Sequence, residues 1–334
     1  VEILKPDERG LRRAAECIAR GGLVAFPTET VYGLGANAFD ARAVARVFEA
    51  KARPSFDPLI VHVASLSQAE SVAREICPKA RALAEALWPG PLTLVLPKRD
   101  ELPEIVNSGL STVAIRLPAH PVARAIIELS RTAVAAPSAN PFGYLSPTKA
   151  EHVERMLGDK VDFIVDGGAC AVGLESTVLD MTRDPPRMLR PGGMSAEAIE
   201  AVIGPILRGA APSAAAAPTA AAASPGMLDS HYAPTTPLRL VGEGELSSAR
   251  PEGRAAALVL DAGRLKSLGD AAGRFARIRV LSKSGDLVEA AASLFAALHE
   301  LDQAGFDEIW AERVGERGLG PAINDRLYKA SKKI

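Results

Sequence analysis

Six short stretches of the chain gather polar residues capable of chemistry. The first, AFPTETVYGLGANAF (25–39), runs an apolar strand into a turn crowded with hydroxyls, a carboxylate and two glycines. A strand opening into glycines suggests a phosphate cradle, yet the lysine and following Ser/Thr of a triphosphate-binding loop are missing. In KARPSFDPLIVHV, Lys51 and Arg53 close a helical pattern that Pro54 must end, and His62 interrupts an apolar strand. The plain readings are a solvated cationic helix end that complements the dipole, and a satisfied core histidine. Strand alternation nevertheless lets His62 face away from Val61 and Val63, toward a sheet edge or cleft. Arg116 in STVAIRLP is more informative, because burying a guanidinium in an apolar strand requires an anionic partner. AAPSANPFGYLSPT places Asn140 and Ser146 in proline-bounded turns, VGLESTVLD puts Ser176 and Thr177 at a strand start, and MLRPGG sets Arg190 before a Pro-Gly-Gly turn. Ordinary turn chemistry explains Asn140 and Ser146 about as well as ligand binding does. There is no G-x-S-x-G elbow and no metal-ligand spacing. Cations, hydroxyls and backbone amides without a nucleophile–base pair suit a reaction governed by positioning and charge neutralisation. Phosphoryl or nucleotidyl transfer from ATP is such a reaction.

The elements that must hold these groups follow from the hydrophobic pattern. DERGLRRAAECIARGG has helical periodicity with Asp7 as N-cap and Gly21-Gly22 as a stop. ARAVARVFEAK reads as a second helix, and LVAF, PLIVHV, PLTLVLP, TVAIRLP, AVAAP, DFIVDGG and STVLDMT as short apolar strands. Helical stretches separate several of them, which predicts an α/β layer with a mainly parallel or mixed sheet. Polar residues at the strand ends then fall where open α/β sheets place ligands. SAEAIEAVIG closes this region with a helix. GAAPSAAAAPTAAAASPG (209–226) follows, an alanine-rich run broken by prolines that reads as a mobile linker. Beyond it, LRLVG, RAAALVL, RIRVL and DEIWAERV alternate with the amphipathic DLVEAAASLFAALHELDQAG and a terminal GLGPAINDRLYKASKK, the pattern of a small doubly wound domain.

The bulk numbers narrow the function classes. A chain of 334 residues, about half of them apolar, supports one large or two medium domains. A net charge of −1 argues against a protein whose main work is coating nucleic acid. Cys17, Cys77 and Cys170 form neither a zinc spacing nor a disulfide framework, and Cys17 and Cys77 read as small core residues. No apolar run approaches the ~20 residues that span a bilayer, and the N-terminus lacks a signal-peptide profile. The expectation is a cytoplasmic chain without a membrane partner.

Taken together, FPTETVYGLG, KARP…PLIVHV, WPGPLTLVL, STVAIRLP, APSAN…SPT, LESTVLD and LRPGG closely resemble the YrdC/Sua5 family. The tail SPGMLDSHYAP and the α/β unit after it are similar to the long Sua5-type threonylcarbamoyl-AMP synthases. The resemblance implies a YrdC-like twisted mixed-sheet domain (1–207), an Ala/Pro-rich linker and active-site lid (208–234), and a smaller Rossmann-like α/β domain (235–334). It implies a nucleotidyltransferase that joins L-threonine, bicarbonate or CO2, and ATP into threonylcarbamoyl-adenylate, releasing pyrophosphate. The product would feed a downstream threonylcarbamoyl transferase complex acting on tRNA. ATP is then a substrate that carries its own Mg²⁺, with no protein-bound metal cluster.

Carried over residue by residue, Lys51 and Arg53 become the catalytic, phosphate-facing cations, joined by Arg190. Asp57, Thr112, Ser138, Asn140, Ser146 and Tyr232 become further ATP contacts. Thr30, His62, Arg116, Ser176 and the backbone of Ala136 become the threonine site, with Arg116 facing the carboxylate. Many relatives have asparagine at the place of Asp57, and an aspartate beside a triphosphate requires a cation, magnesium or the ribose opposite it. In the family the connector crosses the catalytic cleft, so SPGMLDSHYAP reads as a lid that excludes water from a hydrolysable adenylate. Two rivals remain: a YrdC-like module binding double-stranded RNA, and carbamoyl transfer for metallocentre maturation. The acylphosphatase and zinc-finger segments of the latter proteins are absent from this sequence.

Overall fold

The computed structural model describes residues 1–208 and 231–332. Among them, residues 1–142, 147–170 and 175–208 form one compact unit, and 143–146, 171–174 and 231–332 form a second. The linker expectation at 208–234 falls largely on 209–230, outside the described residues; His231–Pro234 lie within them.

In the first unit the order is β1 (Glu2–Leu4), α1 (Glu8–Ala19), β2 (Val24–Pro27), β3 (Tyr32–Asn37), α2 (Ala41–Lys51), β4 (Ile60–His62), α3 (Leu66–Glu70), α4 (Pro78–Leu87) and β5 (Leu92–Pro97). It continues with α5 (Glu104–Asn107), β6 (Thr112–Arg116), α6 (Pro121–Ser130), β7 (Val134–Ala135), α7 (Ala150–Leu157), β8 (Phe163–Val165), β9 (Thr177–Asp180), β10 (Arg187–Arg190) and α8 (Ala196–Ile203). The strands make one sheet in the order β1-β8-β2-β3-β7-β4-β6-β5-β9-β10. Its pairings are mixed: β4 runs parallel to β6 and β5 to β9, while β5–β6 and β3–β7 are antiparallel.

Local chemistry sets the helix ends as the sequence indicates. Asp7 caps α1 by accepting from Gly10 N at 2.8 Å, and Asp40 caps α2 through Arg42 N and Ala43 N. Ala52 then takes the left-handed conformation, φ +50°, so the chain leaves α2 abruptly and brings Arg53 back over its own loop. The two glycines of the first motif differ from the expected glycine loop. Both Gly33 and Gly35 lie within β3, and a Cβ on Gly35 would sit 2.5 Å from the Phe26 ring. Gly35 is therefore required by close strand packing, not by phosphate.

Side chains alternate between the two faces of each strand. Val113 and Ile115 of β6 enter the main core with Val61, Leu94 and Leu96. Ala114 joins Ile60, Val95 and Val178 in a small apolar cluster on the other face. Val24, Phe26, Val134 and Ala136 pack with residues of α1 and α6 in a third cluster. Cys17 and Cys77 are half-buried at the edges of these clusters and Cys170 is buried; all three are free.

The second unit adds β11 (Leu238–Val241), β12 (Ala255–Val259), α9 (Ala262–Ser267), β13 (Arg277–Val280), α10 (Leu287–Gln303), β14 (Glu308–Glu312) and α11 (Gly320–Ala330). Its strands pair in parallel in the order β11-β14-β12-β13, the small α/β pattern expected of the sequence. No helix among the described residues is long and apolar enough to cross a membrane.

Candidate active site

The site is built on the strand face that carries the small apolar cluster. Register aligns His62 of β4 with Arg116 of β6, and Arg116 with Thr93 of β5, so the three form one polar row. The next row is Ile60, Ala114 and Val95, an apolar floor. Arg116 has the anionic partner its strand requires. One Nη donates to Glu29 Oε1 at 2.5 Å, the other to Thr30 Oγ1 at 2.8 Å, and Nε donates to Gly90 O at 3.2 Å. Thr30 is fully buried, and its hydroxyl also bonds Thr28 Oγ1 at 2.7 Å. Burial by itself would raise the Glu29 carboxyl, but the adjoining Arg116 and backbone donors hold it below the usual range.

On the other side of the row, Thr93 Oγ1 and Ser176 Oγ lie 2.7 Å apart, and Arg190 donates to Ser176 O at 2.9 Å. Gly192 of the Pro-Gly-Gly turn packs its backbone onto this segment, where a Cβ would come within 2.3 Å of Glu175 O. His62 is buried and, among the described residues, its Nδ1 has no hydrogen-bond partner. Burial, with Arg116 adjoining, depresses its pKa to about 3, so the ring is neutral. It is therefore a core histidine with one ring nitrogen left unsatisfied among the described residues.

A second group forms where α2 ends. Lys51 is 1% exposed, the opposite of a solvated helix terminus, and Nζ donates to Ser138 O and Asn140 O at 2.5 Å each. Burial, reinforced by Arg53, pushes its pKa well down, against the pull of Asp57 and Glu175. Arg53 folds onto its own loop: Nε donates to Asp57 O at 3.0 Å, and Nη2 donates to Pro58 O at 2.9 Å. Nη2 also lies 2.8 Å from the Asp57 carboxylate. Asp57 is fully buried, and neither carboxylate oxygen has an aligned hydrogen-bond donor among the described residues. Burial raises its pKa, and Arg53, Lys51 and Arg190 oppose that rise. The aspartate thus faces a cation, one of the settings that its position requires.

The structure brings His62 and Arg116 onto one row with Thr93, with Thr30 bonded to Arg116 and Ser176 to Thr93. It places Lys51, Arg53, Asp57, Ser138 and Asn140 in the second group, with Arg190 touching Ser176 and felt electrostatically by Asp57. Ala136 donates its N–H to Ile60 O beside the floor. Thr112 opens β6 four residues before Arg116, ~13 Å away by strand rise, and is not part of either group. Ser146 and Tyr232 belong to the second unit. There Ser146 O contacts His299 Nε2 at 3.1 Å, and Tyr232 is buried at φ +61° with the Arg326 guanidinium 4.9 Å from its ring. The candidate list taken from the sequence omitted Glu29, Thr28 and Thr93. A single acid among the hydroxyls of PTET was the available signal for Glu29. Among the described residues no group of three or more His, Cys, Asp or Glu is arranged to hold a metal.

Comparison with known proteins supplies the relationship. The Sua5/YciO/YrdC family model, described as telomere recombination, matches residues 16–192, and the threonylcarbamoyl-AMP synthase C-terminal domain model matches 194–332. The chain is 47% identical to a Pyrococcus abyssi threonylcarbamoyl-AMP synthase over 97% of this chain and 95% of that one. It is 42% identical to a Bacillus subtilis protein of the same description, over 98% and 94%. A crystal structure of P. abyssi Sua5 complexed with L-threonine superposes with a TM-score of 0.88 at 44% identity, covering 99% of this chain and 98% of that one. The chain belongs to the Sua5/YciO/YrdC family, in the long form that adds a Sua5 C-terminal domain.

Proposed function

We propose that the protein is an L-threonylcarbamoyl-adenylate synthase, a nucleotidyltransferase acting on ATP. The observation that carries the proposal is the buried row of His62, Arg116 and Thr93, with Thr30 bonded to Arg116, Ser176 to Thr93 and the cation Arg190 to Ser176. That arrangement suits an amino acid at one end and phosphates at the other. Full-length relatives described as threonylcarbamoyl-AMP synthases, and the threonine complex of the P. abyssi protein, support the choice of substrate.

The threonine amine attacks CO2, forming the N–C bond and releasing one proton. A carbamate oxygen then attacks the α-phosphorus, forming the O–P bond and breaking the bond to the departing pyrophosphate. Both nucleophiles come from substrates, so no protein nucleophile is needed, in accord with a site of cations, hydroxyls and amides. Arg116 orients the amino-acid carboxylate, and Thr30 and Ser176 offer hydroxyls, while neutral His62 supplies an unprotonated ring nitrogen. Lys51 and Arg190 neutralise phosphate charge, with Ser138 and Asn140 around them. Arg53 acts mainly by holding the 53–58 loop. Mg²⁺ is assigned to the nucleotide, whose charge it would offset when bound. Thr112, Ser146 and Tyr232 are retained as nucleotide contacts on the resemblance alone. We assign residues 1–207 to catalysis, 208–234 to linker and lid, and 235–334 to the C-terminal domain. The adenylate would pass to a threonylcarbamoyl transferase acting on tRNA.

Incubation with ATP, bicarbonate and each of threonine, serine and valine, following pyrophosphate, tests this reading. Threonine should drive release, valine should be rejected strongly, and serine should be disfavoured by roughly 1–3 kcal/mol. Absence of threonine-dependent release, with RNA binding that weakens steeply in salt, would instead favour the double-stranded RNA module.

A further inference from the structure

Among the described residues, Glu29 is the one side chain that forms an ion pair with Arg116. Its Oε1 accepts from Arg116, and its Oε2 accepts from Ala119 N at 3.0 Å and His120 N at 3.4 Å, in the segment leading into α6. The carboxylate therefore clamps the guanidinium against two backbone donors at a place where the chain turns. Arg116 spends three of its five N–H donors on Glu29, Thr30 and Gly90, which leaves two among the described residues. A planar guanidinium with three of its donors fixed cannot rotate, so the direction of the remaining two is decided before any ligand arrives.

We propose that Glu29 is a positioning residue for the amino-acid substrate. It holds Arg116 so that the two remaining N–H groups meet the threonine carboxylate, and it thereby sets selectivity for a free α-carboxylate. The inference rests on the functional reading above, since it presumes that Arg116 receives that carboxylate. It opposes the simplest electrostatic view, in which Glu29 neutralises Arg116 and competes with the substrate anion. The two views differ in sign. If Glu29 competes, removing its charge strengthens threonine binding; if Glu29 positions, removing it weakens binding, because the guanidinium gains freedom that must be lost again on association. A neutral amide in Glu29→Gln also sets an NH2 against the Ala119 and His120 donors, or against Arg116, whichever way it is turned.

The test compares L-threonine with L-threoninamide, which lacks the carboxylate charge, in steady-state pyrophosphate release by wild type, E29Q and E29D. The expected result for E29Q is a threonine KM raised roughly tenfold or more, the scale of one charge-assisted hydrogen bond. Its ATP KM should stay within about twofold of wild type. The preference for threonine over threoninamide should shrink by a similar factor, which a merely structural loss would not produce. In E29D the carboxylate retreats by one methylene and cannot reach both partners, so its preference should also fall. E29D decides the question if E29Q lacks a cooperative thermal transition. An unchanged or lower threonine KM in E29Q, or undiminished threonine preference in E29D, overturns the positioning role. Wild type that releases no threonine-dependent pyrophosphate would instead overturn the functional reading itself.

Discussion

Replacing Arg53 by methionine should destabilise the first unit more than replacing its partner Asp57 by asparagine. The two side chains are almost wholly enclosed and 2.8 Å apart, so solvent screening does not dilute their interaction. At an effective dielectric near 20, unit charges at that separation attract by about 6 kcal/mol, most of which offsets the desolvation of both groups. The single replacements are unequal because the partners left behind differ. Without Arg53, the Asp57 carboxylate keeps no ion-pair partner at contact distance among the described residues, and the loss should be about 3–5 kcal/mol. Without the Asp57 charge, Arg53 still donates to the carbonyls of Asp57 and Pro58, and the loss should be about 1–2 kcal/mol. The folded Asp57 pKa already lies above its unfolded value through burial, and removing Arg53 raises it further. A carboxyl of that kind takes up a proton more readily folded than unfolded, so its contribution is most favourable at acid pH and is lost as pH rises through the folded pKa. The deficit of R53M should therefore be smaller at pH 5 than at pH 8. Urea unfolding followed by Trp88, in a Trp310→Phe background, reports the first unit alone, since Trp88 is buried there and Trp310 lies in the second. An R53M variant no less stable than D57N, or one whose deficit does not shrink on acidification, would refute the argument.

Three further outcomes are expected. Between about pH 6.5 and 3 the unfolded His62 binds a proton that the folded ring refuses, so stability should fall on acidification by up to about 1.4 kcal/mol per pH unit. His62→Asn should flatten that slope in urea midpoints, and parallel curves for the two proteins would count against a buried neutral ring. Lys51→Met should abolish pyrophosphate release. Because the buried amine sheds its proton before the unfolded one, wild type should also gain stability relative to K51M as pH rises from neutrality toward the ordinary lysine pKa; equal pH dependence would mean that Lys51 stays charged throughout. Gly192→Ala forces a methyl against the backbone of Glu175 and Ser176 and should destabilise by about 1–3 kcal/mol while raising the threonine KM. A variant with wild-type melting and kinetics would show that this turn does not support Ser176.

Much of the fold was legible because it is encoded over short separations. Asp7, Asp40 and Asp286 cap their helices by bonds spanning two or three residues, and the apolar periods of α1, α2 and α10 need only their own turns. Arg116 could be flagged from one strand, since an arginine among apolar neighbours implies an anion. Which anion could not be read. Glu29 is 87 positions away, and their meeting depends on a sheet that orders β3-β7-β4-β6-β5-β9 without regard to chain order. The same order sets Thr93 against Ser176 and leaves Thr112 at the far end of the strand that carries Arg116. Lys51 looked like a solvated helix end for a similar reason, because the carbonyls that receive it, from Ser138 and Asn140, come from a turn about ninety residues later. By itself the sequence determined the elements, their caps and the kinds of side chain available for chemistry. Only the tertiary structure decided which of them touch, because strand order and register are set by packing over the whole sheet and not by any local stretch.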